Sequence, residues 1–208
     1  MTVAILGHGN VGGALARGFA KAGMRVVIAQ DPARGSLLPD WVKEYGCEAM
    51  DPEGACEASD ALVLAVPFGA LAEAVTPLKD ALKGKVVVDC TNPVGPDLSH
   101  GLNSTQSGSE FLQSLLPECN IAKCFTIYGY ENFESAPKTS PKPSMLICGD
   151  SASAKTVASQ LAAATGWDPV DVGALNQALH LEHLTLLWIK WVRLGGASPH
   201  TVWARLTG

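Results

Sequence analysis

The chain has 208 residues, 47% of them hydrophobic and 17% charged, and a net charge of −5. That length supports one large domain, or one domain and a small partner, around a sizeable core. The acidic balance with no basic run gives nothing for nucleic acid to bind, and no apolar run approaches the ~20 residues of a membrane span.

Met1-Thr2 leads straight into an apolar run without a basic leader, so no signal peptide is expected. The six cysteines (47, 56, 90, 119, 124 and 148) form no C-x-x-C pair, and several fall inside predicted strands. They read as small buried hydrophobes in a reducing, cytoplasmic setting rather than as a zinc site.

The first element is the strand Val3-Ala4-Ile5-Leu6, and Gly7-His8-Gly9-Asn10-Val11-Gly12 follows at once. Val11, Leu15, Phe19 and Ala22 then share one face of a helix. Strand, G-x-G-x-x-G and helix in that order is the context a dinucleotide fingerprint requires. Gly7 serves the turn, Gly9 the close approach of a pyrophosphate, and Gly12 the packing of helix on sheet. The helix start offers free N–H groups to phosphate. An ordinary tight βα turn uses the same glycines; the position directly after the first strand selects the dinucleotide. His8 is expected beside the phosphates.

Arg25 to Ala29 is the second strand, at whose end such folds read the adenosine ribose. Gln30 and Asp31 stand there, and Arg34 follows. Asp31 suits a ribose 2′-hydroxyl and NAD(H), Arg34 a 2′-phosphate and NADP(H). A plain turn at Asp31-Pro32 is the competing reading. Short elements are expected at 38–45 (helix), 47–50 (strand) and 52–58 (helix). Ala61 to Val66 is a continuous apolar run, as a strand buried on both faces requires, and Pro67-Phe68 ends it. Lys85 to Cys90 is the next strand, leading to Asn92-Pro93 and a polar loop over 93–107. A helix over 110–116 and a strand over 121–125 follow. This alternation predicts a doubly wound, mostly parallel Rossmann sheet over residues 1–125.

Residues 126–208 are expected to form a small C-terminal α/β appendage for substrate and dimerisation. It comprises a Pro- and Lys-bearing loop, a strand over 144–148, a helix over 152–164, a strand over 168–172, and a long helix over 175–194. That last helix is apolar nearly all round, which predicts one side on its own sheet and the other on a second subunit. His180-x-Glu182-His183 is not the spacing of a metalloprotease, so no metal is expected there.

These residues resemble the coenzyme F-420-type NADPH-dependent reductases, the family that also supplies the cytosolic domain of the STEAP metalloreductases. The resemblance rests on Gly7 to Gly12, Leu64-Ala65-Val66-Pro67 and Asp89-Cys90-Thr91-Asn92-Pro93. It continues through Lys123 to Thr126, Gly129 to Asn132, Cys148-Gly149-Asp150 and Leu181 to Ile189. It implies hydride transfer between NADP(H) and a flat flavin-like or deazaflavin (F-420) ring, with no catalytic protein nucleophile. The dinucleotide would touch Gly7 to Gly12, Gln30, Asp31, Arg34, Ala65 to Phe68, Asn92 and Pro93. The acceptor cleft would take Tyr128, Gly129, Tyr130 and Trp188, although packing is the commoner role of tyrosine and tryptophan.

Two positions depart from the family. Ala29-Gln30-Asp31-Pro32 stands where members carry Ser-Arg or Thr-Arg, so the NADP(H) reading leans on Arg34 and leaves NAD(H) open. Thr126 stands where many carry Asn. A dinucleotide-holding redox sensor without turnover, or a flavin-dependent ferric reductase, are the alternatives.

Overall fold

The computed structural model describes residues 1–30 and 38–207. One sheet of eight strands organises them, in the order β3-β2-β1-β4-β5-β6-β7-β8. The strands are β1 (Thr2–Leu6), β2 (Arg25–Ala29), β3 (Glu48–Met50), β4 (Ala61–Leu64), β5 (Val86–Asp89), β6 (Asn120–Lys123), β7 (Ser144–Gly149) and β8 (Asp168–Asp171). The first six pair in parallel. β7 runs antiparallel to β6, with Lys123 opposite Cys148, and β8 is parallel to β7.

The apolar runs are continuous because both faces of the sheet are covered. Val3, Ile5, Ala61 and Val63 face one core, while Ala4, Leu6, Leu62 and Leu64 face the other. α1 (Asn10–Lys21) lays Leu15 and Phe19 on the first, and α7 (Ala152–Ala164) adds Ala158 and Leu161 there. The second core takes α3 (Pro52–Glu57) through Ala55 and Cys56, α4 (Leu71–Val75), α5 (Lys79–Leu82) and α6 (Gly108–Leu115). The short α2 (Trp41–Glu44) contributes Val42 to the first. Local caps explain several starts. Asp51 accepts from Gly54 N–H ahead of Pro52, and Ser107 and Glu110 form a reciprocal capping box.

The segment expected as one long helix over 175–194 is a continuous helical path with three pitches. A 3₁₀ turn (Leu175–Gln177) leads into α8 (Ala178–Ile189), which widens into a π turn over Lys190–Leu194. Its apolar residues do divide between two faces. Leu181, Thr185, Trp188 and Val192 are buried, whereas Leu187, Trp191 and Leu194 are 56%, 45% and 74% exposed. α4 and α5 are additions that the sequence reading lacked; both are under two turns long and Pro77 separates them.

The last residues strap the molecule. Trp203 accepts from the Ser144 N–H at 2.8 Å, and Thr201 O accepts from Trp188 Nε1 at 2.8 Å. Pro199 O accepts from Asn132 Nδ2 at 2.7 Å, and the Trp203 N–H donates to the Tyr128 hydroxyl. All six cysteines are free. Five are buried and Cys47 partly so, and burial raises their thiol pKa values, for Cys56 and Cys119 to about 11.

Candidate functional site

Crossovers leave β1 toward β2 and β4 toward β5, so a crevice opens between the carboxyl ends of β1 and β4. A cleft of about 580 Å³ lies there. Leu6, Gly7, His8 and Gly9 form one side, Ala29 and Val66 sit at neighbouring strand ends, and Asp51, Pro52 and Glu53 come from the start of α3. Glu73, Ala74, Pro77 and Leu78 complete it from the α4–α5 segment. The residues from the start of α3, from α4 and from the 3₁₀ turn after it (Thr76–Leu78) were missed in the sequence because they belong to short elements without a motif.

The three fingerprint glycines answer to different constraints. Gly7 has φ +95°, and a Cβ there would lie 2.6 Å from Ala65 O, so the turn itself demands glycine. A Cβ on Gly12 would lie 1.8 Å from Gly7 O and 3.1 Å from Ile5 Cγ2, which fixes how closely α1 can approach β1. At Gly9 a Cβ would meet nothing within 4 Å. No side chain caps α1, whose first turn starts at Gly9 with the N–H groups of Asn10, Val11 and Gly12 ahead of the first helical bond, Gly13 N to Gly9 O. An open cradle beside free N–H groups and a helix dipole fits a pyrophosphate.

Other residues expected at the site are spread along the same edge of the sheet. Ala65 and Val66 follow β4, with Pro67 exposed and Phe68 half-buried against Phe111, ring centroids 5.9 Å apart. Asn92 and Pro93 follow β5. Asn92 Nδ2 donates to Thr126 O at 3.4 Å, while Asn92 Oδ1 and Thr126 Oγ1 are buried without a partner among the described residues. The ends of β5 and β6 therefore carry unspent hydrogen-bonding capacity. The Gln30 N–H bonds Met50 O at 3.0 Å. Asp31 and Arg34 lie outside the described residues.

Tyr128 and Trp188 lie in the core. Tyr128 stacks on Trp167 at 4.9 Å and its hydroxyl donates to Ser144 O. Trp188 is 1% exposed, and a Cβ on Gly129 would lie 2.6 Å from its ring. Tyr130 is 39% exposed and Gly129 partly so. His180 and His183 are exposed on α8, His183 stacking on His100.

Beside this edge lies a charged cluster that sequence reading did not single out. Lys123 Nζ, fully buried, donates to Asp89 Oδ2 at 3.0 Å, Glu182 Oε1 at 2.9 Å and Thr91 O at 2.9 Å. Burial alone would lower its pKa, but the two carboxylates outweigh that and hold it above the ordinary lysine value. Asp89 also accepts from the Thr91 N–H, the Thr91 hydroxyl and the Ser109 hydroxyl. Glu182 also accepts from the Gly108 N–H at 2.9 Å and meets His100 Nε2 at 2.8 Å. His100 Nδ1 accepts the N–H groups of Leu102 and Ser104, both at 3.2 Å, which places its single proton on Nε2 and makes it a donor to Glu182.

Comparison with known proteins agrees with this architecture. Residues 2–93 match the family described as coenzyme F420-dependent NADP oxidoreductase. The chain is 28% identical over 204 residues to an F420-dependent NADP reductase of Methanocaldococcus jannaschii, with 91% of each chain covered. It is 31% identical over 186 residues to metalloreductase STEAP3 of Rattus norvegicus, covering 88% of this chain. It spans only 36% of that metalloreductase and 37% of the mouse STEAP2 metalloreductase. A candidate F420-dependent NADP-reductase from Arthrobacter sp. FB24 superposes with a TM-score of 0.81 at 25% identity, covering 94% of this chain and 95% of that one. Over residues 2–93 in sequence, and over nearly the whole chain in fold, the protein is similar to the coenzyme F420-dependent NADP oxidoreductases.

Proposed function

We propose that this chain is an NAD(P)-dependent oxidoreductase that moves hydride between NADP(H) and a flat flavin-like or deazaflavin ring of the coenzyme F420 type. The observation that carries the reading is the space that a missing side chain leaves at Gly9, beside the uncapped start of α1 at the carboxyl ends of β1 and β4. The relatives' descriptions as NADP reductases and metalloreductases support it.

The bound dinucleotide supplies the hydride. Protein groups need only fix two rings face to face and keep water from them. Gly9 and the first turn of α1 would hold the pyrophosphate. Pro67-Phe68 and Asn92-Pro93 would wall the nicotinamide end, with Asn92 Oδ1 and Thr126 Oγ1 free to bond it. Gly129 and Tyr130 would border the acceptor. Arg34 would grip the 2′-phosphate against the repulsion of Asp31.

The test titrates NADPH and NADH into the wild type, Arg34→Ala and Asp31→Asn. Arg34→Ala weakens NADPH about tenfold or more and spares NADH. If Arg34→Ala alters neither while Asp31→Asn weakens NADH, the protein is an NAD enzyme. Free flavin, deazaflavin or ferric iron added to the same cuvette reads turnover. Binding without oxidation by any acceptor returns the sensor reading.

We also propose that the exposed side of the C-terminal helical path pairs two copies. Leu187, Trp191 and Leu194 follow one another at helical spacing, and Trp191 extends the patch by stacking on Trp203 at 5.5 Å. Light scattering at micromolar concentration should give a dimer, and Leu187→Glu with Trp191→Glu a folded monomer. A monomeric wild type refutes this pairing.

A further inference from the structure

The buried cluster of Asp89, Lys123, Glu182 and His100 does not balance its charge. Every contact to Asp89 comes from a donor: the Thr91 N–H and hydroxyl, the Ser109 hydroxyl and Lys123 Nζ. The same holds for Glu182, whose oxygens receive Lys123 Nζ, the Gly108 N–H and His100 Nε2–H. The Lys123 ammonium and the Thr91 N–H on Asp89, and all three donors on Glu182, have no lone pair to receive a carboxyl hydrogen, and these contacts favour the carboxylate form of both groups. His100 stays neutral, because a second proton at Nδ1 would face the Leu102 and Ser104 N–H groups. One ammonium thus stands against two carboxylates, all of them 0–1% exposed. The backbone at the start of α6 offsets part of the surplus at Gly108, roughly half a charge.

Through Gly108 the cluster adjoins Phe68 and Pro93, the residues that the proposed reading sets at the nicotinamide end. A single methyl added to Gly108 would touch Phe68 Cε2 at 2.9 Å, Glu182 Oε1 at 3.2 Å and Pro93 Cδ at 3.3 Å. Asp89 ends β5, three residues before Asn92. From the pyrophosphate turn after β1, the end of β5 is two strand spacings away, about 10 Å. That is the reach of a ribose and a pyridine ring, so the surplus charge sits by the ring rather than by the phosphates.

We propose that this surplus negative charge sets the redox preference of the site, favouring the cationic oxidised nicotinamide over the neutral reduced ring. The inference rests on the proposed dinucleotide reading. When hydride leaves, the C4–H bond breaks, both electrons travel with the hydrogen to the acceptor ring, and the pyridine ring is left with a positive charge. A buried anion beside it stabilises that product and so favours donation. At an effective dielectric near 20, a unit charge anywhere within about 10 Å of the ring changes an equilibrium constant by roughly tenfold or more, and the α6 start trims this to several-fold.

Equilibrium titration of the oxidised and reduced dinucleotide gives the ratio Kd(oxidised)/Kd(reduced) for wild type, Glu182→Gln, Asp89→Asn and Ser109→Ala. Either neutralising variant raises the ratio several-fold, mainly by weakening the oxidised form. Ser109→Ala disturbs the same cluster without a change of charge and leaves the ratio where it was. The ratio is read within one variant, so a general loosening that weakens both forms does not mimic the effect. If Glu182→Gln fails to fold because its amide opposes His100, Asp89→Asn decides. An unchanged ratio in a folded neutralising variant, or an equal shift in Ser109→Ala, overturns the proposal while dinucleotide binding stands. If neither form binds the wild type, the dinucleotide reading itself falls.

Discussion

Gly9→Val keeps its fold and loses its dinucleotide. The backbone at Gly9 has φ −71°, which any residue can adopt, and the space for a side chain is open in the protein. Losing glycine as the α1 N-cap costs about 1 kcal/mol at most. The branched side chain instead fills the cradle where a pyrophosphate must come within hydrogen-bond distance of backbone N–H groups. Affinity should fall by about two orders of magnitude or more, since charge-assisted bonds from several N–H groups are lost together. Gly12→Ala behaves in the opposite order, because its Cβ meets Gly7 O at 1.8 Å and the α1–β1 contact must open. Chemical denaturation and dinucleotide titration on the same samples separate the two. A Gly9→Val protein that binds with wild-type affinity would show that the cradle is not the site.

Lys123→Met should be the most damaging single change to stability outside the glycine turn. It leaves Asp89 and Glu182 buried with no cation between them, a defect worth about 3–5 kcal/mol in comparable buried pairs. Denaturant midpoints read the loss. The charge on Lys123 is held above its ordinary pKa of 10.5 by the two carboxylates. Its contribution is therefore complete at neutral pH, persists up to that value, and is lost only as pH rises beyond it toward the folded pKa. Wild-type stability should show no titration from this group between pH 7 and 10. If Lys123→Met is as stable as wild type, the cluster contributes nothing net to the fold.

The sheet was legible because its central strands are unbroken apolar runs, and the glycine turn because it sits directly between the first strand and the first helix. Boundaries were less so. β4 ends at Leu64 although the apolar run continues to Val66, because the chain must turn there to line the crevice. The helices after Phe68 went unread since neither spans two turns and Pro77 interrupts them. The charged cluster escaped for a different reason. Asp89 and Lys123 are lone charges inside the strands expected over 85–90 and 121–125, where a charge ordinarily marks a face open to water, yet both are fully buried. Their partners lie tens of residues away, and no local periodicity reports a contact of that kind. The one hint is Glu182, a lone carboxylate amid the leucines of α8.

The C-terminal strap has a bearing on how the chain is made. Among the described residues Trp188 Nε1 and the Ser144 N–H bond only Thr201 O and Trp203 O, and Asn132 Nδ2 makes its shorter bond, 2.7 Å, to Pro199 O and a longer one, 3.3 Å, to Gly129 O. The Rossmann half can assemble as it emerges during synthesis, N-terminal strands first. The groups under the strap cannot be satisfied until residues 199–203 have cleared the ribosome. β7 and α8 should therefore remain open to proteases and chaperones longer than the strands that precede them.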